Sequence, residues 1–188
     1  MVYALAAIVG YLIGSIPIAL IVGRRHGVDL RAVGDRNPGA WNALEQLGPR
    51  RAAPVFAGDA LKGLVPGLIG LALAGVAGAY AGVAGAMVGH AFPAFASLRG
   101  GKSVMTFSGG AFAISPPAAA LCLGACVGVS IGARSFAWGA RFGVFAFPFV
   151  QLAFAPVGRV AATGALMTFI GLRYLADRPA RSRTSSTA

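Results

Sequence analysis

From Val2 to Gly23 the chain runs without one charged side chain, and Arg24-Arg25 closes the run. At about 1.5 Å of rise per residue, such a stretch crosses the roughly 30 Å hydrocarbon core of a bilayer as a helix. Lipid leaves a chain few choices, because every backbone polar group inside it must be satisfied within the protein. The same pattern recurs onward, with apolar segments set apart by short clusters of Lys and Arg. Only 11% of the 188 residues are charged and 57% are hydrophobic, whereas a soluble domain carries about a quarter charged. The net charge of +11 raises the question of nucleic acid. Its basic residues punctuate apolar runs instead of forming a hydrophilic stripe, so no nucleic-acid partner is expected. Met1 to Tyr3 carry no basic n-region, and the first run outlasts a signal-peptide core, so it is expected to stay as a transmembrane helix.

The spacing predicts an all-α integral membrane bundle of about seven short transmembrane helices over residues 1–176. Gly14-Ser15-Ile16-Pro17 interrupts the first, and a long loop is expected from Arg24 to about Ala53, carrying six arginines. Leu64 to about Ala79 then crosses, and roughly Ala81 to Phe92 returns. Pro116-Pro117 divides the apolar run after Ser103 into two helices, and Phe142 to Ala155 and Val157 to Gly171 form a last pair around Pro156. By the positive-inside rule the N-terminus lies outside and the C-terminus in the cytoplasm, with only Arg159 on the far side. Gly78/Gly82, Gly85/Gly89, Gly124/Gly128 and Gly128/Gly132 repeat the small-xxx-small spacing and predict close helix contacts. Residues 177–188 read as a disordered basic cytoplasmic tail that touches membrane lipid. Cys122 and Cys126, four apart in an apolar run, are read as packing residues on one helix face.

Three polar stretches fall at the cytoplasmic ends of these helices. The first holds Asp29, Arg31 and then Gly34-Asp35-Arg36-Asn37-Pro38-Gly39-Ala40-Trp41-Asn42. The second is Asp59-Ala60-Leu61-Lys62-Gly63, and charges in a membrane segment are costly enough to be functional suspects. The third is Gly89-His90 with Phe92-Pro93, followed by Arg99-Gly100-Gly101-Lys102-Ser103 at the start of a helix. Glycine amides, a helix N-terminus and the Lys102 ammonium together suit an oxyanion. The spacing is not that of a Walker A loop. Each stretch has a plainer alternative: His90 as a backbone bridge, Asp59 and Lys62 as a structural pair, Gly100-Gly101 as a tight turn, Asn37 and Asn42 as turn or capping residues.

These motifs resemble the acyl-phosphate-dependent glycerol-3-phosphate acyltransferases of the PlsY type. The resemblance rests on Tyr11 to Pro17, Asp29 to Arg31, Gly34 with Asn37-Pro38-Gly39-Ala40 and Asn42, Asp59 with Lys62-Gly63, and Gly89-His90 with Phe92-Pro93 and Gly100-Gly101-Lys102. It covers about the first 110 residues. It implies a seven-helix fold with a cytoplasmic active site, and transfer of a fatty acyl group from acyl phosphate to the 1-hydroxyl of glycerol 3-phosphate, giving lysophosphatidic acid and inorganic phosphate. On that reading Lys102, Gly100, Gly101, Asn37 and Asn42 hold phosphate, with Arg31, Asp59 and Lys62 beside the substrates. Asp35 and His90 are the candidate general bases. No cofactor and no metal are called for, and the oligomeric state is left open.

The chain departs from the family pattern at several positions. Asp35 and Arg36 stand where the family has Ser-Gly, Trp41 replaces a threonine, Glu45 an arginine, and Ser103 a glycine. A carboxylate in place of a serine facing phosphate repels it by about 4 kcal/mol at 4 Å and an effective dielectric near 20, and Glu45 adds a second, so the pocket cannot work quite as its relatives' do unless Arg36 neutralises one of the two. The family's C-terminal His-x-x-Asn-Ile element is absent, and Arg173-Tyr174 and Asp177 stand nearest to its place. Two functions therefore stay open: an acyltransferase with a rearranged site, or a family-derived protein that binds a phosphorylated lipid or metabolite, or regulates lipid synthesis, without transfer. Other acyltransferase chemistries find no support, since neither His26 nor His90 has an aspartate five residues on and no Gly-x-Ser-x-Gly elbow occurs. A transporter should gather its polar residues at mid-bilayer, whereas these collect at one face.

Overall fold

The computed structural model describes residues 1–177. Those residues form α1 (Val2–Gly14), α2 (Ile18–Arg25), α3 (Ala40–Leu47), α4 (Pro49–Ala91), a 3-10 turn (Ala94–Ala96), α5 (Val104–Ile114), α6 (Pro116–Gly132), α7 (Phe136–Gln151) and α8 (Val157–Ala176). No strand occurs among them. Two stretches are long and apolar enough to cross a membrane by length and composition, Val2–Arg25 and Pro49–Ala96. The basic tail expected at the C-terminus lies outside the described residues except for Asp177.

Several boundaries differ from the sequence expectation. The loop expected from Arg24 to Ala53 contains α3, and α4 already begins at Pro49, where a proline at the first helical position has no N–H to leave unpaired. The reversal expected near Ala79 sits at Ala74-Gly75 instead, where Gly75 takes φ +62, a conformation glycine adopts without steric cost. Alpha helix α4 is thus two arms, 49–73 and 76–91, lying so close that a Cβ on Gly70 would strike the carbonyl oxygen of Gly78. Helix α7 starts at Phe136, six residues before the expected Phe142, because Ser135 caps it through the Trp138 amide (3.4 Å). Arg141 does not end it, since the guanidinium lies over the Trp138 ring at 5.5 Å. Helix α8 runs past Gly171 to Ala176, where Arg173 pairs with Asp177 across one turn at 3.3 Å.

Glycines bring α1, α4 and α5 into backbone contact. A Cβ on Gly10 would meet Gly82 O, one on Gly85 would meet Ala7 O, one on Gly89 would meet Tyr11 O, and one on Gly63 would meet Thr106 O. The small-xxx-small reading therefore holds for Gly78/Gly82 and Gly85/Gly89. It fails for Gly124, Gly128 and Gly132, which have nothing among the described residues within reach of a Cβ. Cys122 and Cys126 do share one side of α6, both as free thiols.

Candidate functional site

The three polar stretches meet at one end of the bundle. The break between α1 and α2 begins this convergence: Ser15 donates to Tyr11 O at 2.7 Å and accepts from the Ala94 amide at 3.2 Å, which fixes the loop after α4 against the broken helix. Arg31 ties the same loop from the other side. Its Nη2 donates to Ala96 O and Arg99 O, both at 2.6 Å. Burial, with Arg99 adding repulsion, lowers its pKa from the usual arginine value. Arg31 thus spends that nitrogen on backbone carbonyls.

Asn42 is fully buried on α3 and donates through Nδ2 to Leu30 O (2.9 Å) and Val33 O (3.1 Å). It shapes the 29–37 loop from inside, as a turn residue would. Gly34 takes φ +60 directly against it, and a Cβ there would collide with Asn42 Oδ1. Asn37 Oδ1 is buried without a hydrogen-bond partner among the described residues and stands 3.4 Å from where a Cβ on Gly101 would lie.

Inside α4, Asp59 and Lys62 form a buried ion pair at 2.9 Å. His90, from the other arm of α4, brings Nδ1 to 3.7 Å from the same carboxylate oxygen. Asp59 Oδ2, His90 Nδ1 and Thr106 Oγ1 have no hydrogen-bond partner among the described residues. Lys62 and His90 also line a small cleft of about 20 Å³ with Pro38, Arg99 and Gly100, room for about one water molecule. His90 Nε2 lies on the far side, against Gly101.

The glycine loop does not present its amides as the sequence suggested. Gly100 N–H donates to Ala91 O and Gly101 N–H to His90 O, each at 3.1 Å. Both are consumed in holding the loop onto α4. The need for glycine is steric instead, since a Cβ at Gly100 would strike His90 O and one at Gly101 would strike the His90 imidazole. The tight-turn alternative accounts for the pair. Ser103 completes the turn with φ +63 and donates to Met87 O at 2.7 Å, which leads into α5.

Lys102 points outward from this loop. Its Nζ meets Asp35 Oδ2 at 3.1 Å and lies 4.8 Å from the centre of the Tyr174 ring. The cation beside Asp35 is therefore Lys102, not the neighbouring Arg36, and Asp35 is engaged rather than free. Glu45 is no second obstacle, because it is exposed on α3 and accepts from Trp41 Nε1 at 2.8 Å. Arg173 lies over the Phe92 ring at 4.9 Å. Sequence patterning left Arg173, Tyr174, Ser103 and Thr106 without roles; only the ends of α8 and α5 arriving beside Lys102 and Gly63 brings them in.

Sequence comparison decides the family. The profile described as Glycerol-3-phosphate acyltransferase matches residues 4–179. The chain belongs to that family. A glycerol-3-phosphate acyltransferase of Rubrobacter xylanophilus is 41% identical over 118 residues, which are 62% of this chain and 59% of that protein. Glycerol-3-phosphate acyltransferase 2 of Moorella thermoacetica is 36% identical over 153 residues, covering 81% of this chain and 79% of its own length. In the Rubrobacter protein and in relatives from Symbiobacterium thermophilum and Exiguobacterium sibiricum, the matched stretch spans 53% to 61% of the relative's length. The crystal structure of PlsY (YgiH), an integral membrane glycerol 3-phosphate acyltransferase in its glycerol 3-phosphate form, superposes with a TM-score of 0.80. That pair shares 29% identity and covers 93% of this chain and 89% of the other. This acyltransferase-family chain is accordingly a membrane protein, all-helical among its described residues, and Asp35, Trp41 and Glu45 fall on one loop and its helix α3.

Proposed function

We propose that this protein transfers a fatty acyl group from acyl phosphate to glycerol 3-phosphate, giving lysophosphatidic acid for phospholipid synthesis. The observation that carries the reading is the likeness, at a TM-score of 0.80, to a family structure holding glycerol 3-phosphate. We place the site at the cytoplasmic face of one domain of seven crossings, with the N-terminus outside. The broken α1–α2 segment, the two arms of α4, and α5 to α8 supply that number, and the basic clusters at one end support the orientation.

In this reading Lys102 is the cation that meets substrate phosphate, and His90 accepts a proton. The 1-hydroxyl oxygen of glycerol 3-phosphate attacks the acyl carbonyl carbon, the bond from that carbon to the phosphate oxygen breaks, and inorganic phosphate leaves. The hydroxyl proton passes to His90 Nε2, the nitrogen that faces Gly101 beside Lys102. Asp59, 3.7 Å from Nδ1, orients the ring and offsets the imidazolium that forms. Asp35 is unsuited as the base because its carboxylate is held by Lys102. Asn42, Arg31, Gly100 and Gly101 support the reading as the frame that sets these groups in place.

Phosphate release from palmitoyl phosphate by purified protein, with and without glycerol 3-phosphate, tests this. Acceptor-dependent release is expected, lowered about 10²-fold or more by Lys102→Ala and by His90→Ala. Folded protein that releases no more than a protein-free blank would sink the transferase. The Lys102–Asp35 pair favours one second reading, a relative that binds a phosphorylated lipid or metabolite without turnover, since the cation is already neutralised. Asp35→Ser separates the two: a lower KM for glycerol 3-phosphate fits an active site restrained by Asp35, while binding gained with no turnover fits the second.

A further inference from the structure

The last turn of α8 reaches the polar site with two neighbouring side chains. Tyr174 lies against the Lys102 ammonium, and Arg173 lies over the Phe92 ring with its Cζ 4.9 Å from the ring centre. Phe92 is itself fixed, since it follows His90 by two residues and its carbonyl accepts from Tyr11 Oη at 3.2 Å. Arg173 stands near enough to His90 for its charge to act there. A guanidinium over an aromatic face keeps the N–H groups around its rim for other ligands. Its planar fork offers a phosphate two parallel hydrogen bonds, which an ammonium does not.

The protein satisfies Arg173 poorly. Its side chain is 15% exposed, yet Nε is buried without a hydrogen-bond partner among the described residues. A buried donor in that state is costly, and more so on a charged group. Asp177 approaches Nη2 at 3.3 Å from an exposed position, and pairs of that kind are weak. Lys102 and Lys62 differ, because each is hydrogen-bonded to a carboxylate, Asp35 at 3.1 Å and Asp59 at 2.9 Å. Asp35 is held through its other oxygen as well, by the Asn37 amide at 3.0 Å. A phosphate carrying close to two negative charges therefore meets, at Lys102, a pair with no net charge, and it needs a further cation. We propose that Arg173 is that cation: with Phe92 as its platform, it leaves Asp177 and grips the phosphate of a substrate beside Lys102. This rests on the transferase reading and deepens it, by adding a second phosphate ligand that α8 supplies. Both substrates of that reading carry the phosphate that fits, the acceptor as a monoester and the donor as an acyl phosphate.

Two measurements on the purified full chain in detergent test this: equilibrium binding of glycerol 3-phosphate and, separately, of palmitoyl phosphonate, a donor analogue that cannot transfer; and KM and kcat for each substrate. Arg173→Met should weaken binding of at least one ligand about tenfold or more and raise the KM of the matching substrate, with kcat changed less. Arg173→Lys keeps the charge without the fork and should recover only part of that loss. Asp177→Asn releases the guanidinium and should tighten the same ligand about threefold, a gain that a merely structural Arg173 would not produce. A loss confined to glycerol 3-phosphate assigns Arg173 to the acceptor's phosphate, and one confined to the phosphonate assigns it to the donor's. Unchanged binding of both ligands by folded Arg173→Met overturns the proposal. Where that variant does not fold, Asp177→Asn decides, and binding no tighter than in the unmodified protein overturns it equally. Unmodified protein that binds these ligands but transfers nothing would sink the transferase reading alone, and the binding ratios would still decide Arg173. Unmodified protein that binds neither ligand overturns both.

Discussion

Glycine does opposite things in the two halves of this molecule. In α1, α4 and α5, Gly10, Gly14, Gly63, Gly85, Gly89 and Gly109 each sit where a Cβ would strike a neighbouring carbonyl oxygen. In α6 and α8, Gly124, Gly128, Gly132, Gly158, Gly164 and Gly171 have no neighbour among the described residues within 4 Å of a Cβ. The first half is therefore packed backbone to backbone, which sets His90, Lys62 and the loop at Lys102 within a rigid frame. The second half is joined to it by side chains such as Phe107 and Phe147, and that looser seam leaves room for a cavity. Gly139 and Gly143 of α7 draw α6 and α7 together, since a Cβ on Gly139 would strike Ser130 Oγ and Cys126 O and one on Gly143 would press on Cys126 Cβ and Cys122 O.

The largest expected effect breaks this contrast at its strongest point. Gly63→Ala places a methyl group on Thr106 O, where neither helix can yield without shifting the other, and should cost more than about 3 kcal/mol. Gly128→Ala has no such neighbour and should be neutral or stabilise by up to about 1 kcal/mol through helix propensity. Thermal unfolding of the two variants in one detergent compares them. Equal losses would mean that the glycines of α6 pack against something, and the division into two halves would fall.

Next comes the buried pair that the rigid half encloses. Asp59→Ala strands the Lys62 ammonium, 4% exposed, with no carboxylate beside it, and should cost about 3 to 5 kcal/mol. Asp59→Ala combined with Lys62→Met removes both charges and should recover most of that stability. Recovery of stability without recovery of acyl transfer would assign the pair, with His90, a part in positioning. Recovery of both would make it structural alone.

The sequence made the membrane class, the broken first segment and the helix ends at Pro116 and Pro156 legible, because apolar length, charge position and proline act locally. It also brought the right three stretches to one end, since positive charge and helix direction settle that much. It misplaced the α4 reversal, because Ala74-Gly75 is one small pair among many in that run, and only the backbone itself shows Gly75 at φ +62. The roles of the site residues were less legible still. Gly100 and Gly101 look like anion ligands in sequence, and only the positions of His90 O and Ala91 O reveal where their amides go. Asp35 likewise reads as the neighbour of Arg36, whereas its partner lies 67 residues away.

The smallest effect probes how α8 is fastened to the rest. Where glycine contacts are missing, a polar cluster takes over: Gln151 and Thr163 are fully buried, Thr163 donates to Gln151 Oε1 at 2.7 Å, and Gln151 Nε2 donates to Tyr80 Oη at 3.0 Å. Tyr80 in turn donates to Arg159 O at 2.7 Å, so one hydroxyl joins α4, α7 and α8. Hydrogen bonds inside membrane proteins average about 0.6 kcal/mol and reach about 1.7, so Tyr80→Phe should lower stability by about 1 kcal/mol while leaving α1, α4 and α5 in register. The looser attachment of α8 should nevertheless reach Lys102, because Tyr174 rides on the same helix and lies against that ammonium. A modest rise in KM for glycerol 3-phosphate, with kcat little changed, is the expected kinetic trace. An unchanged KM together with the stability loss would show that Tyr174 holds its place without the cluster, and that the two ends of α8 are fastened independently.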